Sequence, residues 1–505
     1  MARNATIRFD NRETFAPIDE GYELMPFRFT RLPNLCGQVL VTSSVGEYLF
    51  LSEDDFSRLV DHQLTRDSDL YRALRTRQIV CDAERGPFFE GLAAQHRTRK
   101  LFTTEDPSLH IFVVTLRCDH RCPYCQVTPR LVSERGFDMT RNTADAALDL
   151  VFESRAPCLT IEFQGGESAL AFERIRYIVE RAETRQRLPG QQVRFVMATT
   201  LHLLTDEMLA FCRDHKIELS TSLDGPAHVH NANRINRTRD SFERTVEGIE
   251  RARAVCGHDR VAALATITRN SLPFAREIVD TYVELGFDSI SVRPLSPFGF
   301  AVKSVRKLGY TMDEYLRFYR DALAYLLQIN LSGTVIEESY ATLLLTKILT
   351  PFPTTYVDLQ SPAAAGNSVL VYNYDGGVYV SDEGRMLAEM GDDRFRMGSV
   401  HDAMTTLRRS NAMRIIREAG VAEQLPGCSE CAFVPFCGAD PVFHVATQGD
   451  PVGHRPTSEF CHRHTGLFRI LFEYLAKRDP DTMRVFLSWM GRRSLTEVPH
   501  AGYLV

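Results

Sequence analysis

The chain has 505 residues, of which 44% are hydrophobic and 25% charged, and its formal net charge is −6. This length predicts roughly three domains, and the mild charge gives no reason to expect a nucleic acid as a partner. No stretch approaches the roughly 18 apolar residues of a membrane span, and residues 1–6 lack the apolar core of a signal peptide. We therefore expect a cytoplasmic protein that binds neither membranes nor nucleic acid.

Residues 1–105 form the first predicted unit. Residues 37–42 and 47–51 predict a β-hairpin, Ser52 is a good N-cap for a following helix, and a second short helix is expected near residues 70–74. This order is typical of a winged-helix-like module, a kind that binds peptides or nucleic acid. Because the unit lacks a strong positive charge, we favour a peptide. A simple cap on the catalytic domain is the alternative.

Strands and helices alternate through the second predicted unit, residues 106–310. Six apolar runs predict buried strands, with amphipathic helical patterns between them. The runs cover residues 110–116, 159–163, 194–198, 217–223, 261–267 and 288–293. Six β/α units of this kind predict a parallel sheet, curved or open, with the active site at the carboxyl ends of its strands.

Three polar motifs follow strands of this predicted sheet. Residues 118–125, CDHRCPYC, carry three cysteines directly after the first strand. Residues 164–167, QGGE, follow the second strand, and residues 222–226, SLDGP, end the fourth. The carboxyl ends of parallel strands meet at one edge of the sheet, so these motifs should lie close together.

The remaining sequence divides into residues 311–464 and a helical segment, residues 465–505. Residues 311–350 are helix-rich, and a polar hairpin is expected at residues 369–372 and 378–380. A second group of cysteines then follows, and it consists of Cys428, Cys431, Cys437 and Cys461. The five remaining cysteines of the twelve are scattered, and we expect them to be small core residues.

The CxxxCxxC spacing, the tyrosine before its last cysteine and the GGE turn together resemble the radical S-adenosylmethionine (SAM) superfamily. The resemblance implies an α/β fold with a partial (β/α)6 barrel. It also implies that three thiolates hold a [4Fe–4S] cluster whose fourth iron binds SAM. The implied cluster ligands are Cys118, Cys122 and Cys125.

The same resemblance implies a set of SAM-binding residues. The GGE turn, Gly165, Gly166 and Glu167, would contact the amino group of the methionine moiety. The SLDGP segment and the arginine ten residues after its aspartate resemble the peptide-modifying branch of the superfamily. There, Ser222 and Arg234 would hold the carboxylate and the ribose, and Tyr124 would complete the site. No catalytic acid or base is assigned.

The second cysteine group resembles the auxiliary-cluster SPASM domain of peptide-modifying radical enzymes. That domain usually has seven cysteines and two clusters, but here Pro441 stands at the next cysteine position and an upstream pair is absent. The four cysteines that remain imply one auxiliary [4Fe–4S] cluster, held by Cys428, Cys431, Cys437 and Cys461. A structural zinc site with four cysteine ligands is the alternative, because its short spacings overlap with these.

Several longer segments resemble the radical SAM maturase, or B component, of the His-Xaa-Ser peptide system. They are residues 25–29, 109–118, 220–226, 293–301 and 437–441. The resemblance implies a ribosomally synthesised, post-translationally modified precursor peptide of the His-Xaa-Ser type as substrate. It also implies a second radical SAM maturase as partner and a flavodoxin or ferredoxin as electron donor. The competing hypothesis is a non-catalytic zinc-binding or peptide-binding scaffold.

Overall fold

The computed structural model describes residues 21–82, 85–185, 187–354 and 359–498. The sequence predictions for residues 1–20, including the prediction that residues 1–6 are not a signal peptide, lie outside this range. The chain forms two compact units: Met1–Arg99 with Glu430–Pro435, and Lys100–Ser429 with Phe436–Val505. The first split falls six residues before the predicted boundary at 105, and the predicted domain limits remain predictions.

The smaller unit is built on a three-stranded antiparallel sheet in the order β2-β3-β4, with β1 and β5 paired beside it. Its elements are β1 (Glu23–Leu24), β2 (Phe27–Arg31), β3 (Gln38–Ser43), β4 (Tyr48–Ser52), α1 (Glu53–Val60), α2 (Asp69–Thr76), β5 (Val80–Cys81) and α3 (Arg85–Arg99). The predicted hairpin and both short helices are confirmed. The Ser52 hydroxyl accepts the Asp55 N–H, as predicted for the N-cap of α1.

The segment at residues 430–435 belongs to the smaller unit. The Thr42 hydroxyl on β3 donates to the Ala432 carbonyl over 2.8 Å, and both groups are buried. The core beneath this sheet includes Val39, Val41 and Leu59, all completely buried. Apolar residues at alternate positions of β3 thus form one packed face, as the period of a strand requires.

The larger unit is organised around a nine-stranded sheet among the described residues, in the order β14-β12-β11-β10-β9-β6-β16-β17-β18. The strands of the larger unit, inside and outside this sheet, are β6 (Leu109–Thr115), β7 (Arg117–Cys118), β8 (Arg130–Leu131), β9 (Cys158–Gly165), β10 (Gln192–Ala198), β11 (Glu218–Ser222), β12 (Val261–Thr266), β13 (Ser289–Ile290), β14 (Val292–Arg293), β15 (Glu337–Glu338), β16 (Val369–Tyr372), β17 (Gly377–Tyr379) and β18 (Arg396–Ser399). Six strands of the sheet are parallel, and each pairs with the next of the six along the chain. They are β6, β9, β10, β11, β12 and β14. The predicted α/β fold with six β/α units is therefore confirmed.

Helices connect and cover these strands. They are α4 (Arg141–Phe152), α5 (Phe172–Thr184), α6 (Asp206–Asp214), α7 (Ala227–Asn233), α8 (Ser241–Cys256), α9 (Ala275–Glu284), α10 (Phe300–Leu308), α11 (Met312–Leu331), α12 (Ser339–Leu349), α13 (Asp382–Glu389), α14 (Met404–Leu407), α15 (Asn411–Ala419), α16 (Pro441–Gln448), α17 (Glu459–Lys477) and α18 (Pro480–Gly491). No helix among the described residues combines the length and apolar character needed to cross a bilayer.

The hairpin predicted at residues 369–380 forms as β16 and β17, but it is buried rather than polar. Strand β16 pairs in parallel with β6 and extends the main sheet beyond its first strand. Both faces of the hairpin are therefore covered, which explains its run of apolar residues. The predicted limit at residue 464 falls inside α17, which starts at Glu459 and carries Cys461 on its first turn.

Candidate active site

The three-cysteine loop begins where β6 ends, at the carboxyl edge of the parallel sheet. Its backbone pairs with the segment after α7, because the Arg121 N–H donates to the Ile235 carbonyl over 2.8 Å. The Cys125 carbonyl accepts the N–H of Phe300, at the start of α10, over 2.7 Å. The connections after the fourth and sixth parallel strands therefore hold the middle and the end of this loop.

The loop thiols lie in an environment that disfavours a bare thiolate. Burial raises the pKa of all three, and the pKa of Cys122 rises to about 12 although Arg234 opposes the shift. The His120 backbone N–H donates to the Cys118 Sγ over 3.4 Å. Because soft thiolates become stable in such a site when they bind a soft metal, this donor set fits iron–sulfur ligation.

A second group of possible metal ligands, Cys118, Asp119 and His120, is less suited to bind a metal ion. Among the described residues, Cys118, Asp119 and His120 place three ligand atoms within 4.8 Å of one another. However, one ring nitrogen of His120 is hydrogen-bonded to Asp119 and the other to Ser241. His120 therefore has no free nitrogen for a metal ion.

The GGE turn packs directly against the strand that leads into the cysteine loop. The N–H groups of Gly166 and Glu167 donate to the carbonyls of Thr115 and Arg117, each over 2.8 Å. A Cβ at Gly165 would lie 1.8 Å from the Thr115 oxygen, and one at Gly166 would lie 2.2 Å from the Arg117 oxygen. Both glycines are therefore needed for this close approach of two backbones.

The Glu167 carboxylate is completely buried and bonded to its own chain. Its Oε1 accepts the Ala169 N–H over 3.0 Å and the Thr199 hydroxyl over 2.5 Å, and its Oε2 accepts the Thr200 N–H over 2.6 Å. Burial raises the pKa of Glu167, and the bonds from Thr199 and Thr200 oppose the rise. Oε2 keeps one acceptor position, which suits an ammonium group.

Tyr124 connects the cysteine loop to the fourth and fifth strands. Its hydroxyl donates to Asp224 Oδ1 over 3.2 Å and accepts from Arg234 Nη1 over 2.8 Å. Asp224 Oδ1 also accepts the Thr266 N–H at the end of β12 over 3.2 Å. Two of the predicted cofactor residues, Tyr124 and Arg234, are thus in direct contact.

Several buried polar atoms around this edge of the sheet have no partner among the described residues. They are Thr200 Oγ1, His202 Nδ1, Thr221 Oγ1 and Asp224 Oδ2. Ser222, at the end of β11, is half-buried and makes no hydrogen bond through its hydroxyl with the described residues. Buried polar atoms normally have partners, so these positions fit a polar ligand such as SAM.

The cysteines of the second group lie in separate local settings. The Cys431 Sγ accepts the Phe433 N–H over 3.4 Å within residues 430–435. In the larger unit, the Cys428 thiol has a pKa raised by burial and lowered by Arg455. Cys461 lies on the first turn of α17, where its N–H donates to the N-cap hydroxyl of Ser458 over 3.2 Å. All four are half-buried, and their assignment as ligands remains a prediction.

Comparison with known proteins identifies one domain of the chain. Residues 112–268 match the family model of the Radical SAM superfamily. The chain is also 30% identical over 223 residues to an uncharacterized protein of Methanothermobacter thermautotrophicus, an alignment that covers 44% of this chain and 78% of that protein. Residues 112–268 therefore form a radical SAM domain. The predicted [4Fe–4S] cluster and SAM are therefore the cofactors expected of this family.

Solved structures of other proteins share the fold. A structure described as native anSMEcpe with bound AdoMet has a TM-score of 0.60 and 19% identity, covering 73% of this chain and 98% of that one. Streptococcus suis SuiB bound to precursor peptide SuiA has a TM-score of 0.51 and 14% identity, covering 86% and 98%. At these identities the likeness shows the fold alone.

Several residues around the candidate site are not predicted from the sequence. Thr199 and Thr200 hold Glu167, Thr266 contacts Asp224, and His120 contacts Ser241. His120 lies inside the cysteine motif, so its position was a signal that could have been used. The other residues follow different strands, and only the tertiary fold brings them to the site.

Removing the Tyr124 hydroxyl should weaken SAM binding without removing iron. A Tyr124→Phe variant leaves Arg234 Nη1 without its 2.8 Å partner, and a hydrogen bond to a charged group is worth about 1.5–3 kcal/mol. We expect a Kd for SAM at least about tenfold higher, measured by anaerobic calorimetry, with unchanged iron content.

A Tyr177→Phe variant is the matched control. It removes a 2.7 Å bond from a tyrosine to Asp145 that lies between α4 and α5 and contacts none of the site residues. An unchanged Kd in the Tyr124 variant would contradict the predicted role of this residue.

Proposed function

We propose that this protein is a peptide-modifying radical SAM maturase whose substrate is a ribosomally synthesised precursor peptide of the His-Xaa-Ser type. The observation that carries the proposal is the direct bracing of the cysteine loop by the GGE turn and by Arg234. Gly166 and Glu167 bond to the strand before the loop, and Arg234 bonds to Tyr124 within it. These contacts support one site for a cluster and SAM.

The residues of this site have separate tasks in the proposed reaction. Cys118, Cys122 and Cys125 would hold the cluster, while Glu167 and Arg234 would orient the charged groups of SAM. When bound, the cluster and SAM would supply radical chemistry for the peptide, with the electron provided by a flavodoxin or ferredoxin. Burial of the site excludes water and stray hydrogen donors from the reaction.

The polar face of the sheet is the proposed position of the peptide side chain. Glu162 and Gln164 on β9 are half-buried and bonded to each other over 2.6 Å, while the alternate residues Ile161 and Phe163 are buried against the helices. Burial raises the pKa of Glu162, and the charge of Asp382 raises it further. Such a surface supports a polar target residue rather than an apolar one.

An unpaired guanidinium nitrogen supports the same position. Arg385 on α13 is completely buried; its Nε and Nη2 donate to Asp382 Oδ1 over 3.1 and 2.9 Å. Its Nη1 is buried without a partner among the described residues. A peptide carbonyl or side-chain oxygen would satisfy this donor.

Further parts of the proposal concern partners and location. The smaller unit is proposed to bind the precursor peptide through its antiparallel sheet, in the mode of β-strand addition. The structure of SuiB contains the precursor peptide SuiA, and a structure of anSMEcpe contains the Kp18Cys peptide, which supports a peptide as substrate class. A second radical SAM maturase of the same system is the proposed partner, and the cytoplasm is the proposed location.

An anaerobic assay tests the proposed function. The purified protein is supplied with SAM, dithionite and a synthetic His-Xaa-Ser peptide from a neighbouring reading frame. We expect 5′-deoxyadenosine and a change in peptide mass. A protein that binds zinc, contains no iron and leaves SAM intact would instead support the non-catalytic scaffold.

The auxiliary [4Fe–4S] cluster predicts a specific iron count. Two clusters give about eight irons per chain, and a Cys428→Ala/Cys437→Ala variant should keep about four. A Cys256→Ala variant is the control, because Cys256 ends α8 and its Sγ bonds to the Leu209 carbonyl. Iron and zinc are measured by elemental analysis. About four irons plus one zinc in the unaltered protein would identify the second site as zinc.

A further inference from the structure

A continuous chain of hydrogen bonds runs beneath the cysteine loop. The Asp224 N–H donates to His230 Nδ1 over 3.3 Å, and His230 Nε2 lies 3.1 Å from Ser241 Oγ. Ser241 Oγ lies 3.0 Å from His120 Nε2, and His120 Nδ1 lies 2.8 Å from Asp119 Oδ1. His230 and Ser241 are completely buried, and His120 is 2% exposed. This chain joins the end of the fourth parallel strand to the interior of the CxxxCxxC motif.

The partners determine where each hydrogen lies. A backbone N–H can only donate, so Nδ1 of His230 accepts and its Nε2 carries the hydrogen that Ser241 Oγ accepts. The Ser241 hydroxyl then has His120 Nε2 as its only described acceptor, and it donates there. His120 therefore carries its hydrogen on Nδ1 and donates to Asp119. Every member of the chain is satisfied in this one arrangement.

The chain ends beside a predicted cluster ligand. The His120 ring is held from both sides, by Ser241 and by Asp119, and the His120 backbone forms an antiparallel bridge with Asn236. The residue is thus fixed in ring and backbone. Its N–H is the group that donates to the Cys118 Sγ over 3.4 Å.

We propose that Ser241 is a positioning residue that sets the reduction potential of the SAM-binding cluster through His120. The proposal rests on the proposed function, because it requires a cluster on Cys118. Hydrogen bonds to the ligand sulfurs stabilise the reduced cluster, which carries one more negative charge. Without the Ser241 hydroxyl, the Nε2 atoms of His120 and His230 lose their partner in a buried site, and the rings must move to find another. The N–H of His120 then loses its alignment with Cys118.

The test is a potentiometric titration of the full-length, anaerobically reconstituted protein. The SAM-binding cluster is recognised as the electron paramagnetic resonance signal that changes when SAM is added. In Ser241→Ala we expect the ratio of reduced to oxidised cluster at a fixed potential to fall about tenfold, which is about 59 mV for one electron. Ser241→Thr restores a hydroxyl and should restore most of the ratio.

Thr245 offers a matched control on the same helix. It lies one turn after Ser241, is 2% exposed, and its hydroxyl bonds to His202 Nε2 over 3.0 Å. Thr245→Val removes a buried bond to His202, whose ring packs against the His120 ring with centroids 4.7 Å apart but makes no hydrogen bond to it. We expect the wild-type potential in this variant. Equal shifts in Ser241→Ala and Thr245→Val would overturn the proposal.

A second variant tests the chain from its other end. His230→Leu removes the donor to Ser241, and the potential should fall in the same direction by a smaller amount. In the double variant with Ser241→Ala the potential should fall no further than in Ser241→Ala alone, because both changes act through one pathway. Additive shifts would contradict this, and either single variant is decisive if the other binds no iron.

A failure of the proposed function and a failure of the Ser241 proposal give different results. A wild-type protein without iron, or without a SAM-sensitive signal, would refute the proposed function. A wild-type signal with an unchanged potential in Ser241→Ala would refute only the role of Ser241.

Discussion

Replacing Cys122 by alanine should remove about four irons per chain and abolish SAM cleavage. Cys122 is the middle ligand of the predicted set and is 6% exposed, so no water or neighbouring thiol can easily take its place. Two thiolates cannot hold a [4Fe–4S] cluster that already lacks its fourth protein ligand. We expect 5′-deoxyadenosine formation to fall more than about 100-fold, since the loss of outer-shell partners alone costs 10–100-fold.

Cys212 provides a closely matched control for this experiment. It is completely buried in α6, and burial raises its pKa to about 12, the same value as for Cys122. A Cys212→Ala variant should lose some stability but keep its iron and its activity. Near wild-type 5′-deoxyadenosine formation by Cys122→Ala would contradict the assignment of the cluster ligands. Equal iron loss in both variants would attribute the effect to folding.

Adding one methyl group at Gly166 should destabilise the whole site. The new Cβ would lie 2.2 Å from the Arg117 oxygen and 2.7 Å from the Leu116 oxygen, and both are backbone atoms that cannot rotate away. The turn or the end of β6 must therefore shift. We expect the free energy of unfolding to fall by about 3–5 kcal/mol, at the upper end of single substitutions. Denaturant titration followed by circular dichroism measures this change.

Substitutions at Gly165 and Gly190 distinguish two causes of lost stability, a steric clash of the new Cβ and backbone strain. Gly165 combines a φ of +145° with a Cβ position 1.8 Å from the Thr115 oxygen. Gly190, before β10, has a φ of +80° but no atom within 4 Å of its Cβ position. Gly190→Ala should therefore cost only the backbone strain, about 1–2 kcal/mol. If Gly165→Ala and Gly166→Ala cost no more than Gly190→Ala, the close approach of the two backbones would not be needed for stability.

The fold could be predicted from the sequence to a large extent because its signals are local. The six apolar runs each match a parallel strand, and the amphipathic helical patterns between them match helices such as α4 and α8. The hairpin after residue 369 was also found, but its place in the main sheet was not. Pairing between β16 and β6 joins residues about 260 positions apart, and no local pattern encodes such a partner.

The candidate site divides in the same way. Spacing and order predict Cys118, Cys122 and Cys125, the GGE turn and Arg234 as site residues. The bond from Tyr124 to Asp224 was not found, and neither was the chain through Ser241. These contacts depend on which strand ends are neighbours, so their residues have no common spacing.

The sequence alone determined the chemistry of this protein: three thiols in a tight loop at a strand end, a glycine-rich turn after the next strand, and a second group of four thiols. Only the tertiary structure decided how these parts support one another. Gly165 and Gly166 are required by backbone oxygens about 50 residues earlier in the chain, and the His120 N–H is aimed at Cys118 by a serine on a distant helix. The physical reason is that thiol ligation follows residue type and spacing, whereas close packing and buried hydrogen bonds depend on neighbours that only folding brings together.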